Sequence, residues 1–168
     1  MYGTVPDHVD GVLKQWATAA PDVDTTHLGV VARLHRLGHQ LGLRAEVFLA
    51  SHGLTQGEFD VLSALMRNGT PDGMTPGALA TAVLVSSGGM TKRLATLESG
   101  GWISRKRSPR DRRSVRVALT PSGRKRLTAL LPGYFAAEAA VLDGMDAAER
   151  DGLADLLRDL SLRVDLGR

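Results

Sequence analysis

Six of the nine residues from position 105 to 113 are cationic: Arg105, Lys106, Arg107, Arg110, Arg112 and Arg113, with Asp111 the single acid among them. Cations at this density repel one another unless an anionic partner neutralises them. The repeating anion that fits is the phosphate backbone of double-stranded DNA. A tip arginine, Arg112 or Arg113, could also enter the narrow minor groove of A·T-rich sequence, with Asp111 bracing a neighbouring guanidinium. The alternative is a charged loop that only confers solubility. Enzyme chemistry is poorly served. Gly88-Gly89 lacks the further glycines and lysine of a phosphate loop, and no nucleophile–base pair stands out. His35 and His39, four residues apart, could share a metal, but a contact between two chains that responds to pH is the better reading. The expectation is therefore no enzyme, no cofactor and no metal. The absence of cysteine excludes disulfides, thiolate nucleophiles and thiol-based oxidant sensing.

The basic segment must be positioned by its neighbours. Trp102 to Arg107 and the alternating Val115-Arg116-Val117-Ala118-Leu119 read as two strands about a turn containing Pro109 and Asp111, a hairpin wing. Upstream, Thr75-Pro76 is a helix cap followed by proline at the first helical position, opening a helix to Val83. Ser86 caps another that runs to Ser99. Two helices so closely joined make a helix-turn-helix. In the second, Met90, Leu94 and Leu97 share a face that must be buried, which leaves Gly88, Thr91 and Lys92 outward with Ser87 near the N-terminus. This suits a recognition helix entering the major groove; an ordinary solvated face is the alternative. Ser86, Ser87, Gly88, Thr91, Lys92, Arg110, Arg112 and Arg113 are the candidate DNA contacts.

The flanks read as helices. Residues 8–19 carry Val9, Val12, Leu13 and Trp16 at helical spacing. A long helix from Thr26 to Ser51, about 39 Å at 1.5 Å per residue, keeps a seam of Leu34, Leu37, Leu41 and Phe48 and stops near Gly53. Thr55 with Glu58 opens the next helix. Thr120-Pro121 and the Asp146/Glu149 capping box open two leucine-rich helices at the C-terminal end. The long helix is too long for a domain of this size to cover alone, so a partner chain is implied. With 43% hydrophobic, 23% charged and 4% aromatic residues in 168, the chain reads as mainly α (α+β) and globular: a winged helix-turn-helix with a helical dimerisation region. The expected division is an N-terminal extension at 1–24, dimerisation helices at 25–53 and 121–168, and the DNA-binding region at 54–120. Net charge is +3, and no apolar run or export pattern marks a membrane or secreted protein, so a cytoplasmic location is expected.

The runs LTQGEFDVLSAL, MTPGALATAV and SSGGMTKRLATLESGGWISRKRSPRDRRSVRVALTPSGR resemble the MarR family of transcriptional regulators over nearly the whole chain. Asp111-Arg112-Arg113-Ser114, followed by Leu119-Thr120-Pro121-Ser122-Gly123, is the most specific part. The resemblance implies a homodimer that binds a pseudo-palindromic operator, usually as a repressor, and is released by a small anionic or phenolic effector. The N-terminal piece around Gln15-Trp16 is similar to the urate-responsive branch. For that branch the resemblance implies a ligand set of Trp16, Asp60, Arg93 and Arg105, with urate as candidate effector. Asp60 and Arg93 as a structural ion pair, and Trp16 as a brace for the long helix, remain the alternative. Lys92, Trp102 and Ser104 depart from commoner family residues, which bears on operator and effector but not on class. The competing function is a ligand-independent architectural DNA-binding protein.

Overall fold

Asp7 begins the first helix by exchanging bonds with it. Its carboxylate accepts the N–H groups of Val9 and Asp10 at 2.8 and 3.1 Å, while the Asp10 carboxylate accepts the N–H of Asp7 at 2.7 Å. This reciprocal box satisfies donors that a helix start otherwise leaves unpaired, and α1 follows at His8–Ala19. The computed structural model describes residues 5–70, 73–83, 87–107 and 114–166. Helix α2 spans Leu28–Ala50. It starts two residues after the expected Thr26, because the Thr26 N–H and hydroxyl both donate to the Asp24 carboxylate (2.9 and 2.7 Å) and hold that residue in a turn. It ends as expected: Gly53 takes φ 69°, and the Leu54 N–H reaches back to the Leu49 carbonyl at 3.0 Å.

By its contacts the chain forms two compact units, one up to Gln56 and the other from Gly57 onward. In the first, α1 packs on α2 through buried Val9 and through Arg33. The Arg33 guanidinium donates to Asp7 through Nε and Nη2, both at 2.9 Å, to Asp10 at 2.8 Å and to the Gly29 carbonyl at 2.7 Å. This clamp, together with the capping N–H groups, holds the Asp7 carboxyl at about 2, well below the usual carboxylate range.

The second unit holds α3 (Gln56–Asn68, from Gly57 on), α4 (Pro76–Ala82), α5 (Ser87–Ser99), β1 (Ile103–Arg107), β2 (Val115–Leu119), α6 (Pro121–Ala139), a single 3-10 turn at Ala140–Leu142, and α7 (Ala147–Leu166). The cap residues behave as their types require. Thr75 accepts from Ala78 N–H, Thr120 from Gly123 N–H, and Asp146 and Glu149 form the reciprocal box. The strands pair antiparallel with Ile103 opposite Leu119, Arg105 opposite Val117 and Arg107 opposite Val115. On the other side of β2, Met74 and Val117 exchange both backbone hydrogen bonds at 2.8 and 2.9 Å. A single bridging residue has no alternation to reveal it in sequence. Phe59, Leu62 and Leu65 of α3, Leu79 of α4, and Leu127, Leu130 and Tyr134 of α6 are buried, with the Phe59 and Tyr134 rings 4.2 Å apart. Among the described residues no helix is long and apolar enough to cross a membrane.

The wing is fastened at its base around Trp102. Gly101, at φ 70°, turns the chain out of α5. The Thr120 hydroxyl donates to the Gly101 carbonyl at 2.7 Å and the Thr120 N–H to the Trp102 carbonyl at 3.0 Å. The Arg126 guanidinium lies 3.6 Å from the Trp102 ring centroid and donates to the Gly100 carbonyl. Gly123 approaches so closely that a Cβ would sit 2.7 Å from the Trp102 carbonyl carbon and 2.9 Å from its Cα.

Two outcomes follow. Backbone cannot swing aside, so Gly123→Ala destabilises the second unit by about 2 kcal/mol in denaturant unfolding. Asp7 has a folded-state value below its unfolded one, so its contribution is complete above the ordinary carboxylate value of 3.8 and disappears as pH falls toward 2. Protection of the α1 amides, the intrinsic exchange rate at each pH divided by the observed one, should fall over that interval in the native chain and not in Asp7→Asn, where the clamp is already weakened.

Candidate nucleic-acid interface

Helix α5 is fixed by what it buries. Met90, Leu94 and Leu97 are 2, 2 and 1% exposed and, at 100° per residue, fall within about 60° of one another. The opposite arc carries Thr91, Lys92, Ala95 and Thr96, all exposed. Thr91 and Lys92 therefore stand where the sequence places them, on the outward face. Ser87 and Gly88 open the helix. Ser86, Arg110, Arg112 and Arg113 lie outside the described residues. On β1, Lys106 and Arg107 are exposed, so hydroxyl groups, an ammonium and a guanidinium are displayed on the helix and on the strand that follows it. Such a set can take phosphate oxygens and base edges.

The two arginines of the expected ligand set flank the α5 stripe on opposite sides. Arg93 lies to one side, with its guanidinium against the backbone of Gly57 on α3. A Cβ at Gly57 would come within 2.6 Å of Arg93 Cζ and 2.7 Å of Nη2. Its Nη1 is buried without a hydrogen-bond partner among the described residues, a donor left available for an acceptor. Arg105 is held instead by Glu98, about 140° around α5 from Arg93. The Glu98 carboxylate accepts Arg105 Nε at 2.7 Å and the Arg105 main-chain N–H at 3.2 Å. Those two hydrogen bonds hold the Glu98 carboxyl below its ordinary value. Asp60 is half-buried on α3 and engaged by a neighbour. Trp16 belongs to the other compact unit, where it is 47% exposed.

Sequence reasoning missed Glu98 and Gly57. Glu98 stands seven positions before Arg105 across a Gly-Gly turn, a spacing with no general meaning until the turn is known. Gly57 sits in the first turn of a helix, where glycine is a poor choice intrinsically, and that was the available signal. Because the obstacle at Gly57 is the end of a flexible side chain, Gly57→Ala should leave stability in denaturant unfolding unchanged or raise it by about 1 kcal/mol. It should also displace Arg93, which a changed Nε–H resonance of that arginine would report.

A profile of the MarR family matches residues 52–114, which run from before α3 to the residue before β2. Across the chain, the HTH-type transcriptional regulator PecS of Dickeya dadantii is 28% identical over 149 residues, 89% of this chain and 90% of the relative. The HTH-type transcriptional regulator YkoM of Bacillus subtilis is 32% identical over 107 residues, 64% of this chain and 68% of the relative. The structure of BpsR from Bordetella bronchiseptica, described in terms of the regulation of its DNA binding by 6-hydroxynicotinic acid, superposes with a TM-score of 0.71. That match is 24% identical and covers 83% of this chain and 97% of that one. The relatives are regulators rather than enzymes. With a recognition helix, a wing and these similarities in the same stretch, the chain belongs to the MarR family of DNA-binding, winged helix-turn-helix transcriptional regulators.

Proposed function

We propose that this regulator is a repressor that grips a pseudo-palindromic operator as a homodimer and lets go when a small planar anion binds. The observation that carries the DNA half is the outward face of α5, with Thr91 and Lys92, immediately before a strand that displays Lys106 and Arg107. The sequence adds arginines at 110, 112 and 113, outside the described residues, as the remaining proposed contacts to phosphate or the minor groove. Two-fold assembly is supported by apolar side chains left in solvent. Val30, Leu37 and Leu41 on α2 are 57, 51 and 43% exposed, and Leu153, Leu156 and Leu157 on α7 are 40, 71 and 41% exposed. Isolated hydrophobic residues are ordinary on a surface, but rows at helical spacing call for a partner. Helices in 25–53 and 121–168 are the proposed dimerisation elements, around the DNA-binding segment 54–120.

The effector reading rests on the unpartnered donor of Arg93 and on similarity to PecS. By residue type alone, the proposed set Trp16, Asp60, Arg93 and Arg105 contains an indole and guanidinium groups of the kind a flat anion takes, with Arg105 the arginine held by Glu98 and Arg93 the one that is not. Urate is the candidate, and the 6-hydroxynicotinic acid named for BpsR is likewise a flat heteroaromatic acid. The Glu98–Arg105 pairing favours a second reading, an architectural protein blind to ligands, since one of the two arginines already has its carboxylate.

Mobility shift on the DNA upstream of the protein's own gene should give a dimer-sized complex. Lys92→Ala should weaken it and reduce the salt slope by about one. Titration calorimetry with urate, alongside release assays at fixed salt, should show heat and release that Arg93→Ala abolishes. Heat and release from neither urate nor 6-hydroxynicotinate would remove the effector and leave the architectural reading. A monomer that ignores duplex DNA in dilute buffer would remove the whole proposal.

A further inference from the structure

Among the described residues, no further strand pairs with the edge of β1 that faces away from β2. Val117 gives both its backbone groups to Met74 on the far side of β2. In an antiparallel ladder, opposed residues alternate between pairs that exchange both backbone bonds and pairs that exchange none. Arg105, opposite Val117, is thus in a pair that exchanges none, and its N–H points away from β2, off the open edge. An unpaired edge donor of this kind seeks an acceptor. The acceptor here is Glu98 of α5, which takes that N–H at 3.2 Å and the guanidinium Nε of the same residue at 2.7 Å. Both side chains are about one-third exposed, 35% for Arg105 and 37% for Glu98. The recognition helix and the first wing strand are therefore joined twice, by one carboxylate, just past the Gly100-Gly101 turn.

We propose that Glu98 is a positioning residue for operator recognition: by holding the Arg105 backbone and guanidinium together, it sets the orientation of the wing relative to α5, so that both meet one duplex in register. DNA recognition depends on simultaneous engagement, since phosphate contacts fix the register in which a helix presents side chains to base edges. A wing without this contact, still anchored at Trp102 and through the Met74–Val117 bridge, would offer its positive charge to any DNA, but the edge of β1 would shift relative to α5 and lose the shared register. Glu98 thus supports specificity more than affinity. As an acid close to a cationic surface it should, if anything, oppose non-specific binding, so its removal separates the two effects. In this arrangement Arg105 is spent on Glu98, and Lys106 and Arg107 carry the phosphate contacts of the strand.

The test uses the full chain and a duplex selected by the native protein from a random-sequence pool, with a scrambled duplex of equal length as the non-specific probe. Glu98→Ala should weaken binding to the selected duplex by about tenfold, the scale of coupling between residues in direct contact, and leave binding to the scrambled duplex equal or tighter. Glu98→Gln keeps an oxygen for the Arg105 N–H and should recover part of the loss. In a double-mutant cycle, Arg105→Ala should add little on the Glu98→Ala background, and Arg105→Ala alone should leave the salt slope unchanged. Should Glu98→Ala fail to fold, the Glu98→Gln ratio of selected to scrambled binding decides, and must lie below that of the native protein. An unchanged ratio in the folded variants, additive losses for the two residues, or a salt slope that drops by about one in Arg105→Ala would overturn the proposal. If the native protein selects no duplex, the DNA-binding reading itself fails, and this inference with it.

Discussion

Everything presented to DNA depends on which face of α5 is turned inward. Met90, Leu94 and Leu97 leave the helix one apolar stripe, and its burial in the second unit removes the freedom to rotate about the helix axis. A rotation by one residue position would expose that stripe, at a cost of about 1.5–3 kcal/mol for each large aliphatic side chain, and would turn Thr91 and Ala95, or Arg93 and Thr96, toward the interior. The outward arc of Thr91, Lys92 and Thr96 is therefore a consequence of core packing. The wing inherits the same reference, because Trp102 and Ile103, which begin it, are themselves buried.

Polar contacts then complete what packing starts. The ion pairs of Arg33 with Asp7 and Asp10, of Arg105 with Glu98 and of Arg158 with Asp155 are all at least partly solvated, and such pairs contribute little to stability individually. Their use lies in geometry. Arg33 offers a rigid fork that two carboxylates and a carbonyl fit in one orientation, which settles how α1 lies on α2. Glu98 reads both the main chain and the side chain of Arg105. Arg126 covers the ring of Trp102 while bonding the turn at Gly100. In each case a charged side chain also bonds to a neighbour's main chain, so it reports backbone position and not only charge.

Much of this was legible in sequence where the signal is local. The caps at Thr75, Thr120 and Asp146 act within three residues of themselves, and their residue types announce them. The apolar stripe of α5, the left-handed Gly53 and the alternating β2 are local as well. Arg33 and Asp7 are 26 positions apart, and Met74 and Val117 are 43 apart; nothing in the residues themselves says that they meet. The proline-free stretch with its apolar seam places the start of α2 at Thr26, but the helix begins at Leu28 because the preceding Asp24 claims the Thr26 N–H. For the site, the outward position of Thr91 and Lys92 follows from periodicity alone. The commitment of Arg105 to Glu98 and the seat of Arg93 on Gly57 are tertiary facts.

The central claim is that α5 and the wing engage one duplex together, and that two copies do so on one face of it. Hydroxyl-radical footprinting of the DNA upstream of the gene reads this directly. The account predicts two protected patches, with centres about 34 Å apart, each consisting of a major-groove segment with a flanking minor-groove segment. A single patch, protection without the minor-groove flank, or no protection at low salt would contradict it.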